Sequence, residues 1–320
     1  MKKSVAILYA DSRFTPWKEN IDFSTIRTYY DALSEDYDVT VVHITEPNSE
    51  LAEFLKSFEF IFNLCYGYGN YNQAEVAFWL DVHDINHLTT SGKIQEIAQD
   101  KLLVEDFCIE QNIPVARSVR HISRLDLNAK FIITKPRYGG CHRGITILEN
   151  TEQNQKVIMD SILNKDFLVQ EYIEGREFSV AVIPDETGNY TALNPAEFSP
   201  IPHRSIYVAG NSFGYTERSL DTNLDLNTVR FMKQISVQLH NMLGLKYMSR
   251  IDFRVKDGVP YVLDVNTMPN MHPEKSLLPA ILEHDGISLK ELLKRKIQLN
   301  LEEQLVDESF YDRLLTGIID

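Results

Sequence analysis

Cysteine is scarce in this sequence, and its three residues lie far apart. Cys65, Cys108 and Cys141 are odd in number and widely spaced, so they cannot form a disulfide framework. No CxxC or CxxxH spacing indicates a zinc site. The sequence therefore predicts a protein of a reducing compartment that contains neither structural disulfides nor structural zinc.

Basic residues are in the minority, and long apolar runs are absent. The chain has 32 Lys and Arg against 46 Asp and Glu, a net charge of −14 that argues against a broad surface for nucleic acid or anionic membrane. No stretch approaches the roughly 18 apolar residues of a membrane span. The basic start and apolar run of residues 1–10 resemble a short signal peptide, but Asp11 ends the run early, which favours a first β-strand. We expect a soluble, cytoplasmic protein.

Glycine and proline are too few for a fibrous or low-complexity chain. There are 14 Gly and 12 Pro among 320 residues, and 43% hydrophobic with 24% charged residues is typical of a globular protein. At roughly 150 residues per domain, this length predicts two domains or three small ones.

Strand and helix patterns alternate over the first 90 residues. The strand-like runs are Val5–Tyr9, Val39–Ile44 and Phe58–Asn63, and helical patterns at Ser24–Leu33 and Ser49–Lys56 lie between them. This order predicts a parallel sheet with helices on its faces, a small doubly wound α/β domain. Ligands of such sheets bind at the carboxyl ends of the strands.

The later elements are less regular. One long helix is predicted at Ile94–Cys108, a strand at Tyr190–Glu197, and a helix at Val229–Leu243 with Asn227 or Thr228 as its N-cap. The stretch Ser199–Asp221 has no clear periodicity. A β-hairpin follows, with strands at Tyr247–Val255 and Tyr261–Val265.

The hairpin concentrates charge on one face. If its turn centres on Gly258, Asp252 lies opposite Asp264 and Arg250 opposite Asn266. Opposed carboxylates repel and need a cation, a shared proton or a neighbouring arginine. Two carboxylates and an amide oxygen suit Mg²⁺ whose other ligands are phosphate and water. The alternative is a solvated polar face of an edge hairpin.

A glycine loop lies between two predicted strands, Phe131–Lys135 and Ile145–Leu148. Its sequence, Gly-Gly-Cys-His-Arg-Gly from Gly139 to Gly144, matches neither a Rossmann fingerprint nor a P-loop. Its backbone amides can still hold phosphate oxygens, and Lys135 can supply a fixed positive charge. A tight glycine hairpin is the alternative interpretation.

Four motifs occur together in one order and spacing: Lys135–Ile145, Val169–Glu177, Arg250–Phe253 and Asp264–Pro269. By this pattern the chain resembles the ATP-grasp superfamily, and within it the D-alanine–D-alanine ligases. The resemblance covers residues 1 to about 285. The resemblance implies three α/β domains, the ATP-grasp part being α+β, at residues 1–90, 91–175 and 176–286. Residues 287–320 form a C-terminal helical extension that packs on the body or contacts a partner.

The resemblance also implies a role for individual residues in binding ATP. The phosphates contact Lys101 and Lys135 and the loop glycines Gly139, Gly140 and Gly144. The adenine site is lined by Gln170, Glu171 and Ile173, and the ribose is bound by Glu177. Mg²⁺ or Mn²⁺ is held by Asp252, Asp264 and Asn266, in agreement with the hairpin argument. Arg250 steadies the oxyanion of a tetrahedral intermediate, or forms only an ion pair with Asp252 or Asp264.

The implied reaction joins a carboxylic acid to an amine through an acyl phosphate, with ADP and phosphate released and no protein nucleophile. The amino-acid half of the sequence departs from the D-alanine ligases: Cys141 and His142 replace a serine pair and are followed by Arg143. Asn270 replaces a glycine, and Ser276 is displaced by one residue; these five residues are the candidate substrate contacts. We therefore expect an amino-acid or dipeptide ligase that forms a homodimer. The alternatives are a D-alanine–D-alanine ligase proper and a non-catalytic ATP-binding regulator.

Overall fold

The computed structural model describes residues 2–10, 23–68, 71–120, 130–139, 144–199, 217–274 and 276–303. Gly140, Cys141, His142 and Arg143 lie outside these ranges, as does most of the stretch Ser199–Asp221. Within the described ranges, no helix combines the length and the apolar character needed to cross a bilayer.

The first domain is built on a parallel sheet. Its strands are β1 (Ser4–Ala10), β2 (Asp38–Ile44) and β3 (Phe60–Asn63), in the order β2-β1-β3. Alternate residues of β1 are buried on opposite faces. One face is covered by α1 (Phe23–Leu33), and the other by α2 (Ser49–Leu55) and α3 (Gln73–Val82). The predicted doubly wound α/β domain is confirmed. Two short strands, β4 (Gly67–Tyr68) and β5 (Tyr71–Asn72), follow β3.

The helix predicted at Ile94–Cys108 is two helices, α4 (Gly92–Gln99) and α5 (Lys101–Glu110). The chain is extended at Asp100, with φ −79° and ψ 100°, and the Asp100 carboxylate accepts hydrogen bonds from the backbone N–H groups of Leu102 and Leu103. Asp100 is therefore an N-cap, which satisfies amides that a new helix would otherwise leave unpaired. The break makes Lys101 the first residue of α5.

A small antiparallel sheet follows, with β6 (Phe131–Pro136) between β7 (Thr146–Glu149) and β8 (Phe167–Glu171). The helix α6 (Glu152–Leu163) covers it through buried Ile158. The glycine loop joins β6 to β7, as predicted. Gly144 has a φ of +68°, and a Cβ there would lie 2.8 Å from Cγ of Pro136. Only glycine therefore fits this end of the loop without a shift of its neighbours.

The largest sheet has the order β12-β11-β9-β13-β14, and β10 pairs with β9. Its strands are β9 (Arg176–Pro184), β10 (Tyr190–Ala192), β11 (Ala196–Ser199), β12 (Glu217–Ser219), β13 (Ser249–Lys256) and β14 (Val259–Asn266). The strand predicted at Tyr190–Glu197 is wrong as a single unit, because an interruption that includes Pro195, which has no N–H to donate, separates β10 from β11.

The helix α7 (Leu226–Met242) packs on this sheet and buries Met232, Ile235 and Leu239. Its N-cap is Asp225, whose carboxylate accepts from the amides of Asn227 and Thr228. The predicted N-cap at Asn227 or Thr228 is therefore wrong by two or three residues, because the helix already begins at Leu226 and the Asp225 carboxylate accepts from its first free amides.

The β13–β14 hairpin closes through a two-residue turn. Lys256 pairs with Val259, and Asp257 and Gly258 between them have φ values of +51° and +77°. Two consecutive positive φ angles are typical of a type I′ turn, whose backbone twist matches the right-handed twist of the two strands. The turn is thus one residue shorter than a turn centred on Gly258.

A β-bulge compensates for the shorter turn. Phe253 pairs with Val262, whereas the preceding residue, Asp252, pairs with Asp264. Leu263 is therefore an extra residue on β14. The predicted pairing of Asp252 with Asp264 is confirmed; with a two-residue turn and Leu263 present in the strand, this pairing requires the bulge.

The last helices are α8 (Leu277–His284) and α9 (Leu289–Glu303). Leu292, Leu293 and Ile297 of α9 lie in the same hydrophobic core as α1 and the first sheet. The described part of the C-terminal extension therefore packs on the body. The helices α4 and α5 share a core with β9, β13 and β14, and the domain division at residues 90, 175 and 286 stays a prediction.

Candidate active site

A cleft lies where the small sheet faces the β13–β14 hairpin. Its polar lining comes from four elements that are distant in sequence: Lys101 and Glu105 of α5, Lys135 of β6, Gln170 of β8 and Asp264 of β14. The remaining walls include four valines. The cleft combines cationic, anionic and apolar surface, which suits a charged ligand that carries a flat ring.

Lys101 reaches the start of the glycine loop. Its Nζ donates to the carbonyl oxygen of Gly139 at 2.6 Å and lies 3.9 Å from Oδ1 of Asp264. The backbone position of Lys101, at the start of α5, is fixed by the Asp100 cap. The Asp100 carboxylate is itself held by Arg137 in a bidentate pair at 2.8 and 2.6 Å. Although burial opposes it, the bonds from Arg137 and Tyr138 lower the pKa of the Asp100 carboxyl, so the cap stays ionised.

Lys135 contacts the bulge. Its Nζ donates to the carbonyl oxygen of Leu263 at 3.3 Å, a carbonyl that the extra residue places outside the regular ladder. Burial lowers the pKa of Lys135 to about 8; Asp264 opposes this shift, whereas Lys101 adds to it. The two lysines therefore form a cationic pair beside one carboxylate.

Asp252 is the most constrained carboxylate of the cleft region. Arg250 donates to it from Nε and from a terminal guanidinium nitrogen, each at 2.9 Å. The hydroxyl of Ser179, its neighbour on β9, donates to Oδ1, and Nδ2 of Asn266 donates to Oδ2 at 2.9 Å. The ion pair that the sequence left open for Arg250 is thus present, with Asp252.

The hairpin residues fit a hard cation. Nδ2 of Asn266 is committed to Asp252 and to the carbonyl of Arg250, so its amide oxygen is the atom it can offer. Asp264 and Asp252 add carboxylates from opposed strands. Among the described residues, no three His, Cys, Asp or Glu form a metal site. Mg²⁺ with few protein ligands, completed by phosphate and water, is the type of ion that this donor set suits.

Of the residues expected to contact the adenosine part of ATP, Gln170 lines the cleft, and the others lie near it in sequence. Gln170 is buried, Ile173 is half-buried and Glu171 is exposed. Glu177 pairs with Arg254, which donates to Oε2 at 2.6 Å and to the hydroxyl of Tyr172 at 2.8 Å. Arg254 was not among the residues selected from the sequence, although it lies opposite Glu177 in the ladder.

Asn270 and Ser276, the expected substrate residues, are brought together at the end of β14. Oδ1 of Asn270 accepts from the Ser276 hydroxyl at 2.9 Å and from the His272 amide at 2.7 Å. Cys141, His142 and Arg143, the other three, lie outside the described residues.

The family model described as the C-terminus of D-Ala–D-Ala ligase matches residues 119–298. The match includes all four sequence motifs and, of the polar cleft residues, Lys135, Gln170 and Asp264, but it begins after Lys101 and Glu105. The chain belongs to the D-Ala–D-Ala ligase family. It is an ATP-dependent ligase that forms carbon–nitrogen bonds and acts on small molecules.

Similar proteins extend the likeness to the first domain. The D-alanine–D-alanine ligase of Thermotoga maritima is 28% identical over 261 residues, which are 81% of this chain and 85% of that protein. Among solved structures, D-alanyl-alanine synthetase A of Vibrio cholerae has a TM-score of 0.75 at 18% identity, covering 94% of this chain and 99% of its own. A Bacillus anthracis D-alanine–D-alanine ligase complexed with ATP has a TM-score of 0.70 at 18% identity, covering 94% and 98%. Both structures share the three-domain ATP-grasp fold of this D-Ala–D-Ala ligase family member.

Proposed function

We propose that this protein joins D-alanine to a second D-alanine with consumption of ATP, in the presence of Mg²⁺ or Mn²⁺. The observation that carries the proposal is the joint arrangement of Lys101, Lys135 and Asp264 at one cleft of a chain whose curated relatives are D-alanine–D-alanine ligases. We expect the enzyme to be cytoplasmic and to form a homodimer.

In the first step, a carboxylate oxygen of the first amino acid bonds to the γ-phosphorus of ATP, and the bond to the leaving ADP oxygen breaks. Lys101 and Lys135 offset negative charge on the phosphates, since both ammonium groups reach the cleft. The backbone of Gly139, Gly140 and Gly144 would hold the phosphate oxygens. Asp252, Asp264 and Asn266 would hold Mg²⁺, which would supply positive charge to the phosphoryl oxygens.

In the second step, the amine of the second amino acid attacks the acyl carbon, and phosphate leaves as the amide forms. Arg250 would stabilise the oxyanion of the tetrahedral intermediate, and its bidentate pair with Asp252 fixes its guanidinium plane. No side chain acts as a nucleophile, so Cys141 is not required for the chemistry.

A broader amino-acid or dipeptide ligase is the second candidate. It is favoured by Cys141, His142 and Arg143 in the loop. It is also favoured by Asn270, which stands where the D-alanine ligases have a glycine and whose side chain accepts a hydrogen bond from Ser276. The non-catalytic alternative loses its support, because the relatives are ligases and both lysines and both carboxylates are in place.

ADP release in a panel of amino acids tests these proposals. The panel holds D-alanine, D-serine, L-alanine and D-alanyl-D-alanine, singly and in pairs, with ATP and Mg²⁺. We expect D-alanine alone to drive turnover and to yield a product with the mass of the dipeptide. Turnover that requires another amine or acid would support the second candidate instead, and no turnover with any member would contradict both.

The pKa of Lys135 predicts a pH dependence of ATP binding. Because burial lowers this pKa from 10.5 to about 8, the ammonium is charged below pH 8 in the free protein and neutral above it. From about pH 7 to about pH 9 the charged fraction falls roughly tenfold, so the Kd for ATP should rise over this range.

The measurement is isothermal titration calorimetry with ATP at both pH values. Lys135→Met should bind ATP weakly at each pH and lose the pH dependence. Lys256→Met, which changes an exposed lysine of the β13–β14 hairpin, should retain the behaviour of the unaltered protein. An unaltered protein whose ATP affinity is the same at both pH values would contradict the role of Lys135.

A further inference from the structure

A buried glutamate that none of the motifs contains lies beside Gln170. Glu105 of α5 is only 2% exposed. Its Oε1 accepts from the Ser118 amide at 2.6 Å, and its Oε2 accepts from the Ser118 hydroxyl. Ser118 itself forms a β-bridge with Gln170. Arg120 lies 3.8 Å from Oε1, so the carboxylate has both donors and a compensating charge.

The side-chain amide of Gln170 is oriented by two acceptors. Its Nε2 lies 2.7 Å from the carbonyl oxygen of Ala116 and 3.2 Å from Oε2 of Glu105, and it also lies 3.2 Å from the Ser118 hydroxyl, which can accept or donate. A carbonyl and a carboxylate can only accept, so the amide group that faces them must be the donor. The opposite orientation would place the Gln170 oxygen against two acceptors in a buried site.

The oxygen of Gln170 is therefore left for a donor from elsewhere. Within the described part of the chain, the hydrogen bonds of this side chain all run through Nε2, and no group donates to Oε1. Gln170 and Glu105 both line the cleft. A glutamine fixed in this way presents an acceptor, whereas an unconstrained glutamine can present either an acceptor or a donor.

We infer that Glu105 is a positioning residue that selects a 6-aminopurine nucleotide by fixing the amide of Gln170 with its oxygen toward the base. The exocyclic amine of adenine donates to that oxygen, whereas the 6-oxo group of hypoxanthine or guanine opposes it with a second acceptor. The inference rests on the nucleotide site of the proposed function and adds Glu105, Ser118 and Ala116 to it.

The test is the ratio of the Kd values for ITP and ATP, measured by calorimetry with Mg²⁺ and without amino acids. Because no turnover is needed, the result does not depend on whether D-alanine is the substrate. We expect the unaltered protein to prefer ATP by roughly 10- to 100-fold, since the wrong base leaves buried acceptors unpaired. Equal affinity for the two nucleotides would overturn the inference without any variant.

Two substitutions of Glu105 should give a graded loss of the preference. Glu105→Met removes the carboxylate and leaves the Ala116 carbonyl as the one partner of Nε2 that can only accept, beside a Ser118 hydroxyl that can turn either way, so the ratio should fall in part. Glu105→Gln can donate toward Gln170 and compete with that carbonyl, so the ratio should fall furthest, toward one. Glu110→Gln, the same loss of charge at an exposed residue at the end of α5, should leave the ratio unchanged.

Each outcome decides the matter. A ratio unchanged in both Glu105 variants would show that the amide is oriented without Glu105, and an equal loss in Glu110→Gln would assign the effect to charge. Either result overturns the role of Glu105. If Glu105→Gln fails to fold, as judged by its thermal unfolding, Glu105→Met and the unaltered protein still carry the test.

Discussion

Replacing Asp264 with asparagine will lower kcat by about 10²- to 10³-fold. The substitution keeps the shape of the side chain and removes the negative charge that faces Asp252 across the hairpin and lies 3.9 Å from Nζ of Lys101. Both the proposed Mg²⁺ site and the position of Lys101 depend on that charge. The measurement is the rate of ADP release at saturating ATP, Mg²⁺ and amino acid.

The stability of this variant separates loss of chemistry from loss of fold. Asp264→Asn relieves the repulsion from Asp252 but loses the contact with Lys101, so the two effects oppose each other and the variant should unfold at a temperature close to that of the unaltered protein. Asp257→Asn is the matched control, because it makes the same change in the exposed turn, where asparagine tolerates a positive φ. An Asp264→Asn variant that retains more than about a tenth of the activity would contradict the assigned role.

Replacing Arg250 with leucine should also lower kcat by about 10²- to 10³-fold, while the Kd for ATP changes little. The guanidinium is aligned by its bidentate pair with Asp252, and its proposed task arises only as the tetrahedral intermediate forms. Arg250→Lys should recover part of the rate, since it keeps the charge but not the paired geometry. Arg27→Leu, at an exposed arginine of α1, is the control.

The dependence on Mg²⁺ distinguishes the two interpretations of Arg250. If the arginine only holds Asp252 in place, Arg250→Leu will recover its rate at high Mg²⁺, because a loosened carboxylate still binds the ion when the ion is abundant. If it stabilises the oxyanion, excess Mg²⁺ will not restore kcat. Rates measured over a Mg²⁺ titration therefore test the proposed role directly.

Local patterns were enough to predict the elements of the first sheet and the hairpin. Strands of apolar residues and amphipathic helices in βαβ order leave few alternative topologies. The Asp252–Asp264 pairing was predicted correctly from an incomplete argument, because a three-residue turn was assumed where a two-residue turn and a bulge occur. Periodicity alone does not reveal a bulge.

Other features depended on single polar residues or on distant contacts. The break at Asp100 was open to prediction, since aspartate before a new run of helical residues is a common N-cap, but the apolar pattern continues across it. Glu105 was not open to prediction, because its partners Ser118 and Gln170 come from segments 13 and 65 residues further along the chain.

The bulge at Leu263 interrupts the hairpin ladder, but it also provides a contact for Lys135. Without this residue, the two-residue turn and the strands would form a continuous ladder, and Asp252 would still face Asp264. What the extra residue adds is a main-chain oxygen that Lys135 can reach. A redesign that regularised the ladder of this hairpin would remove Leu263. Such a variant would be expected to fold well and to lose the acceptor for Lys135, so stabilisation campaigns on this enzyme should leave the position unchanged.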